Sequence, residues 1–206
     1  MKRSTLIVLK SLTWIACLWL AARLTWGAFT NNLGPDPTAE IAFSTGLATL
    51  YLLTITLAIS PLRRLFPQLS WLIKFRRLFG LFAFFYASLH MLTYVALYSG
   101  FSIAAMESDI AKRRFITMGV AAYLLLVPLA LTSTTWAIRK LGGKNWNRLH
   151  KLIYVAVICG VIHFWWQVKP GVLKPLDITV VLAVLLLARP ILSLVQRRKQ
   201  RAAIPA

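Results

Sequence analysis

Only three histidines occur in this 206-residue chain, His90, His150 and His163, and each falls in an apolar stretch. Ionisable side chains inside apolar segments are rare and by default mark a functional site. Imidazole is also a common axial ligand of haem iron. The stretch HKLIYVAVICGVIH, from His150 to His163, carries one imidazole at each end. Other chemistry has little to build on: there is no Walker motif, GxGxxG, HExxH or Ser/His/Asp set. Five acidic residues in the whole chain leave paired-carboxylate catalysis poorly supported. Cys17 and Cys159 lie in apolar segments without CxxC or zinc-like spacing, and they read as buried small hydrophobes. Any redox role would therefore fall to a bound cofactor.

The elements that must position these histidines are membrane helices. The chain is 59% hydrophobic and 14% charged, far from a soluble balance. Its net charge of +19 could suggest nucleic acid as a partner. The basic residues, however, cluster between long apolar runs, as loop charges of a membrane protein do, so no nucleic-acid partner is expected. A membrane helix needs about 20 apolar residues, and six stretches qualify: about Leu12 to Phe29, Ile41 to Ile59, Leu78 to Tyr98, Phe115 to Trp136, Leu149 to Val168 and Leu176 to Leu194. The first also has features of a cleaved signal peptide, but its apolar run continues past Arg23 to Trp26 and Phe29, which favours retention.

Pro61 ends the second stretch, Pro128 predicts a kink in the fourth, and Gly142-Gly143 a break before the fifth. No internal repeat is visible, and no room remains for a soluble domain. The predicted fold is an all-α membrane protein, a six-transmembrane helix bundle forming one integral membrane domain over residues 1–206. Placing both termini in the cytoplasm gathers most of the 24 basic residues on that side, including Lys2, Arg63, Arg64, Arg139, Lys140, Arg189 and the run Arg197, Arg198, Lys199 and Arg201. The outer side or mid-segment positions keep Arg23, Lys169, Lys174 and the cluster Lys112-Arg113-Arg114. That cluster is an exception which Glu107 and Asp109 could offset.

Helical rise places the histidines in depth. Thirteen residues from His150 to His163 are about 19.5 Å of helix, putting His150 near the cytoplasmic face and His163 in the outer half. His90 lies thirteen residues beyond Arg77 on a helix that also runs outward. His90 and His163 are thus expected at similar depth on two helices, as two axial ligands of one iron would be. His150 has no histidine at its own depth, where Arg76 or Arg77 stands on the facing helix. Arg76 and His90 lie about 40° apart and so share a face. An arginine there suits haem propionates, a flavin phosphate or a lipid phosphate. His150 and His163 differ by about 140° in phase, so they share a helix without sharing a face unless His150 sits at a frayed end.

The remaining conspicuous residues have simpler readings. Trp14, Trp19, Trp71, Trp146, Trp165 and Trp166 mostly lie near segment ends, as an aromatic belt does. Arg23 is expected to snorkel to the outer interface. Tyr94 either packs or hydrogen-bonds near a cofactor, and Trp146 and Arg148 anchor a basic loop.

The stretches RRLFGLFAFFYASLHMLTY, RRFITMGVAAYLLLVPLALTS and RKLGGKNWNRLHKLIYVAVICGVIHFWWQVK resemble the MsrQ (YedZ) family, the haem-binding membrane subunits of bacterial methionine-sulfoxide reductase systems. GPDPTAEIAFSTG and ITLAISPLRR are similar to it as well. The resemblance spans roughly residues 30 to 170 and implies a ferric-reductase-like core over about 41–168 in the bacterial inner membrane. It implies haem b, one or two per chain, with His90, His150 and His163 as iron ligands, and FMN where a flavin reductase is the donor. It further implies electron delivery from the quinone pool or a cytoplasmic flavin reductase to a periplasmic molybdopterin-containing reductase that repairs methionine sulfoxide. The subunit itself would transfer electrons, with catalysis on its partner. Relative to the wider superfamily, with four histidines on two helices, one is missing where Arg76 or Arg77 stands.

Three other roles compete. A quinol-linked ferric reductase would share the cofactor and differ in the acceptor. A transporter would line a path with intramembrane acids, whereas Asp36, Glu40, Glu107, Asp109 and Asp177 all lie near segment ends. A membrane anchor would need none of the histidines.

Overall fold

Apolar runs bounded by polar caps dictate helices, and helices are what form. Asp36 precedes Pro37 and accepts the Ala39 N–H at 2.9 Å, opening a 29-residue helix with proline in its first turn, where proline's missing donor costs nothing. The computed structural model describes residues 3–168 and 174–202. Lys2 and Lys169, counted above among the charges, lie outside them, as do the side chains of Lys174, Arg197, Arg198, Lys199 and Arg201. The elements are α1 (Arg3–Phe29), α2 (Pro37–Leu65), α3 (Ile73–Thr93), α4 (Ile103–Lys112), α5 (Arg114–Leu131), α6 (Thr135–Leu149), α7 (Leu152–Gln167) and α8 (Lys174–Ala202). A 3₁₀ turn, Pro67–Leu72, leads into α3, and a π turn, Tyr94–Tyr98, continues it.

Helices α1, α2, α5, the stretch Pro67–Tyr98 and the Pro175–Leu192 part of α8 are each long and apolar enough to cross a membrane. Helices α6 and α7 qualify together as a sixth, bent by 44°. The protein is an all-α, multi-pass membrane bundle. The core lies where α2, α3 and α7 meet, around Leu57, Ala83, Tyr86 and Val157, which are essentially inaccessible. Trp19, Leu124 and Leu187 are exposed, as lipid-facing side chains should be.

Four local features differ from the sequence reading. Helix α2 does not end at Pro61 but runs through it to Leu65, with Pro61 buried inside. Proline cannot donate to the carbonyl four residues earlier, and here the Arg189 guanidinium of α8 donates to that carbonyl, Leu57 O, at 2.5 Å. An internal proline is thereby tolerated because another helix supplies the missing donor. The fourth stretch stops at Leu131 rather than Trp136. Thr132 and Ser133 turn their hydroxyls back onto the Pro128 and Leu129 carbonyls, and Thr134 caps α6 by accepting the Ala137 N–H.

The 101–113 connection, expected as a loop, contains α4, capped by Ser102 and joined to the π turn by a Tyr94 to Asp109 hydrogen bond of 3.4 Å. Finally, His150 is not on α7. It is the C-terminal cap of α6, and α7 starts at Leu152. The Gly142-Gly143 break is present inside α6, where Gly142 adopts φ 73° and ψ 148°, a backbone state open to glycine.

The two ends of the bundle differ in charge. All five acids lie at the end holding the starts of α2 and α8 and the whole of α4. Arg23 does not merely snorkel there but pairs with Glu40 at 2.9 Å. The opposite end carries Arg63, Arg64, Lys74, Arg76, Arg77 and the basic helix α6. Helix α1 is fastened by Tyr86, whose hydroxyl donates to the Cys17 carbonyl and accepts the Ala21 N–H, bridging one turn of that helix. Cys17 and Cys159 are both free.

Candidate cofactor site: two imidazoles between paired helices

His90 on α3 and His163 on α7 face each other with ring centroids 5.9 Å apart and planes at 82°. The two helices come together from distant parts of the chain, and each brings its histidine against a partner helix in the same way. His90 Nδ1 donates to the Ala42 carbonyl of α2 at 2.8 Å, and His163 Nδ1 donates to the Phe115 carbonyl of α5 at 2.7 Å. A carbonyl only accepts, so each bond fixes the proton on Nδ1 and leaves Nε2 as a lone-pair donor.

Each ring also lies over a glycine one helical turn past that carbonyl. A Cβ on Gly46 would sit 3.1 Å from His90 Cε1, and one on Gly119 only 2.8 Å from His163 Nδ1. The second set repeats the first 73 residues along (42 to 115, 46 to 119, 90 to 163). No repeat is visible in the sequence, yet the arrangement is repeated.

These residues fit an iron with two axial imidazoles. Metal–nitrogen bonds of about 2 Å place two ring centroids roughly 6 Å apart, close to the spacing found. No group of three or more His, Cys, Asp or Glu side chains converges among the described residues. Protein ligands alone therefore do not complete a coordination sphere, whereas a macrocycle supplies its own equatorial nitrogens.

His150 stands apart at the basic end. Its ring stacks on Trp146 at 3.7 Å and 26°, and its Nδ1 donates to the Trp146 carbonyl at 3.1 Å. Trp146 is itself fixed by donating to the Thr132 carbonyl at 2.9 Å. His150 Nε2 is buried and makes no well-formed hydrogen bond, although the Leu129 carbonyl lies near the ring. A buried nitrogen so weakly engaged needs an explanation, and an available ligand lone pair is one.

Arg76 is half-buried, donates to Ser60 Oγ at 3.1 Å and lies near enough to act electrostatically on His150, while Arg77 is exposed. Arg189 completes this region, a residue the sequence reading counted only as a loop charge. Besides Leu57 O it donates to the Tyr154 hydroxyl at 2.5 Å, and its buried Nε has no partner. Arg189 and Arg63 are close enough to repel Arg76, and no acid lies at this end. A run of apolar residues interrupted by one arginine, as in LLLARP, is the signal that could have found it.

The chain is similar to known proteins over most of its length. The model of the family described as "ferric reductase like transmembrane component" matches residues 45–161. The chain is 44% identical over 199 residues to the protein-methionine-sulfoxide reductase heme-binding subunit MsrQ of Herminiimonas arsenicoxydans, covering 96% of this chain and 91% of that one. It is 48% identical to the protein of the same name from Xanthomonas axonopodis pv. citri, over 88% of this chain and 83% of the other. The corresponding protein of Xanthomonas campestris pv. campestris is 51% identical over 76% and 71%.

Proposed function

The chain belongs to the MsrQ family of ferric-reductase-like transmembrane proteins, and on that premise we propose that it carries electrons through the bacterial inner membrane on haem b. The acceptor in this reading is a periplasmic molybdopterin-containing methionine-sulfoxide reductase, and the purpose is repair of oxidised periplasmic proteins. The donor is the quinone pool or a cytoplasmic flavin reductase. A membrane electron-transfer role follows from the family. The finer reading is carried by one observation, the His90–His163 pair held 5.9 Å apart with both Nδ1 atoms engaged by backbone carbonyls.

Bound there, haem b supplies one-electron chemistry at its iron. The chain's own contribution is to hold both Nε2 atoms ready and to keep the rings from turning, through the Ala42 and Phe115 carbonyls. Gly46 and Gly119 let the imidazoles approach the flanking helices closely. On the basic side, His150 with its weakly engaged Nε2 takes a second haem. Arg76, Arg77 and Arg189 neutralise the anionic part of a donor-side group there, a propionate or the phosphate of FMN. Catalysis on methionine sulfoxide belongs to the partner.

Spectroscopic redox titration of the purified protein beside His90→Ala, His163→Ala and His150→Ala tests this. The expected result is a b-type spectrum lost at the same component in the first two variants, and a second component lost only in the third. Full haem content in His90→Ala or His163→Ala would sink the ligand assignment.

A further inference from the structure

Two clefts open at the acid-bearing end of the bundle, and the side chains that line them differ in charge. One, of about 430 Å³, is lined by Asp36, Glu40, Ala42, Phe43 and Tyr98 among others, and so adjoins the carbonyl that holds His90. The other, of about 490 Å³, is lined by Lys112, Arg113, Arg114, Phe115 and Trp166. It adjoins the carbonyl that holds His163, and the Phe115 ring lies 5.9 Å from that imidazole. Arg113 is neutralised by Asp109 at 3.2 Å. Lys112 and Arg114 have no ion pair among the described residues.

This basic cluster also runs against the charge asymmetry expected of the membrane, which leaves most cations at the other end. A cost of that kind calls for a compensating anion. The Gly119 position, over which His163 lies, is five residues into α5 from Arg114, about 7.5 Å along the helix. Lys112 and Arg114 are therefore close in depth to the imidazole pair, at the rim where the span ends.

We propose that Lys112 and Arg114 form a carboxylate clamp for the two propionates of the haem held by His90 and His163, so that the propionate edge lies toward α5. This rests on the haem ligation proposed above. Two unpaired cations match two carboxylates in number. The other cleft has Asp36 on its rim and Glu40 already paired with Arg23, and so offers the same groups no unpaired cation. The sequence exception and the asymmetry of the two clefts thus have one cause.

The test uses purified holoprotein with Arg114→Gln and Lys112→Gln, singly and together. Both residues are exposed, so the bundle is expected to fold in the variants. Loss of a nearby cation disfavours the added electron. The midpoint of the His90/His163 component should therefore shift downward, furthest in the double variant. The propionate bending band in resonance Raman should move, Arg114→Lys should restore it, and Glu40→Gln should leave it in place. An unmoved band and midpoint in the double variant overturn the clamp. The same silence combined with slower, less salt-sensitive electron delivery to the partner overturns it too, and assigns the cleft to protein docking. A wild-type protein lacking a bis-imidazole spectrum removes the ligation reading itself. Silence of the clamp variants in a protein with that spectrum removes only the clamp.

Discussion

At the scale of residues, the site is built as much from backbone as from side chains. The two imidazoles are held by two carbonyls and two missing Cβ atoms, and this makes the glycines sensitive positions. Gly119→Ala forces a methyl to 2.8 Å from His163 Nδ1, the atom already committed to Phe115 O. The ring has nowhere to yield without breaking that bond. Overpacking of this kind costs about 1–3 kcal/mol, so haem content per protein should fall several-fold in Gly119→Ala. Gly46→Ala, at 3.1 Å, should lose clearly less. Equal and full haem occupancy in both would contradict the packing account. Counting helical rise was enough to bring His90 and His163 together, because depth depends only on chain position and direction. The matching carbonyls were not legible: Ala42 and Phe115 differ as side chains, and only their backbone oxygens do the same work.

At the scale of elements, the informative places are where helices break or fail to break. Pro61 would ordinarily end α2, and the sequence reading stopped the helix there. What keeps it going is a guanidinium arriving from α8, a contact spanning 132 residues that no local pattern displays. Arg189→Met should destabilise the bundle by about 1.5–3 kcal/mol, the worth of a hydrogen bond to a charged group. Pro61→Ala in the same chain should recover much of the loss, because an alanine N–H can serve Leu57 O itself. Thermal or detergent-denaturation midpoints of the two single variants and the double variant check this, and additive losses would refute the link. The bend between α6 and α7 has the opposite lesson. Continuous hydropathy from Leu149 onward suggested one helix with two histidines. In the structure the turn at His150 removes it from α7 and sets it on Trp146, which resolves the phase mismatch of about 140° between it and His163.

At the scale of the molecule, the bundle is polar along its axis. One end gathers every acid, the two clefts and the imidazole pair, and the other gathers most cations, α6 and the weakly engaged His150 Nε2. The rule that positive loops stay inside predicts that the basic end faces the cytoplasm. Single cysteines at Ser102 and Lys140, in a chain whose own Cys17 and Cys159 are replaced, should then be labelled from opposite sides of sealed inner-membrane vesicles. Ser102 reached from the cytoplasmic side and Lys140 from the other would reverse the proposed direction of electron flow, and labelling of both from one side would refute the two-ended arrangement. The sequence conveyed this polarity because charge counts survive without tertiary detail, whereas the repeated arrangement of α2–α3 and α5–α7 emerged only in space.

The Pro61–Arg189 contact also bears on how the chain is made. When α2 enters the bilayer, the oxygen of Leu57 has no donor within its own helix. Its donor is 132 residues downstream, on the order of ten seconds of synthesis at ordinary ribosome speeds. Until then α2 is an unfinished helix in a solvent that offers no water to stand in. Chains cut short before α8 should be cleared rapidly by membrane quality control, because the donor that completes α2 arrives only with α8.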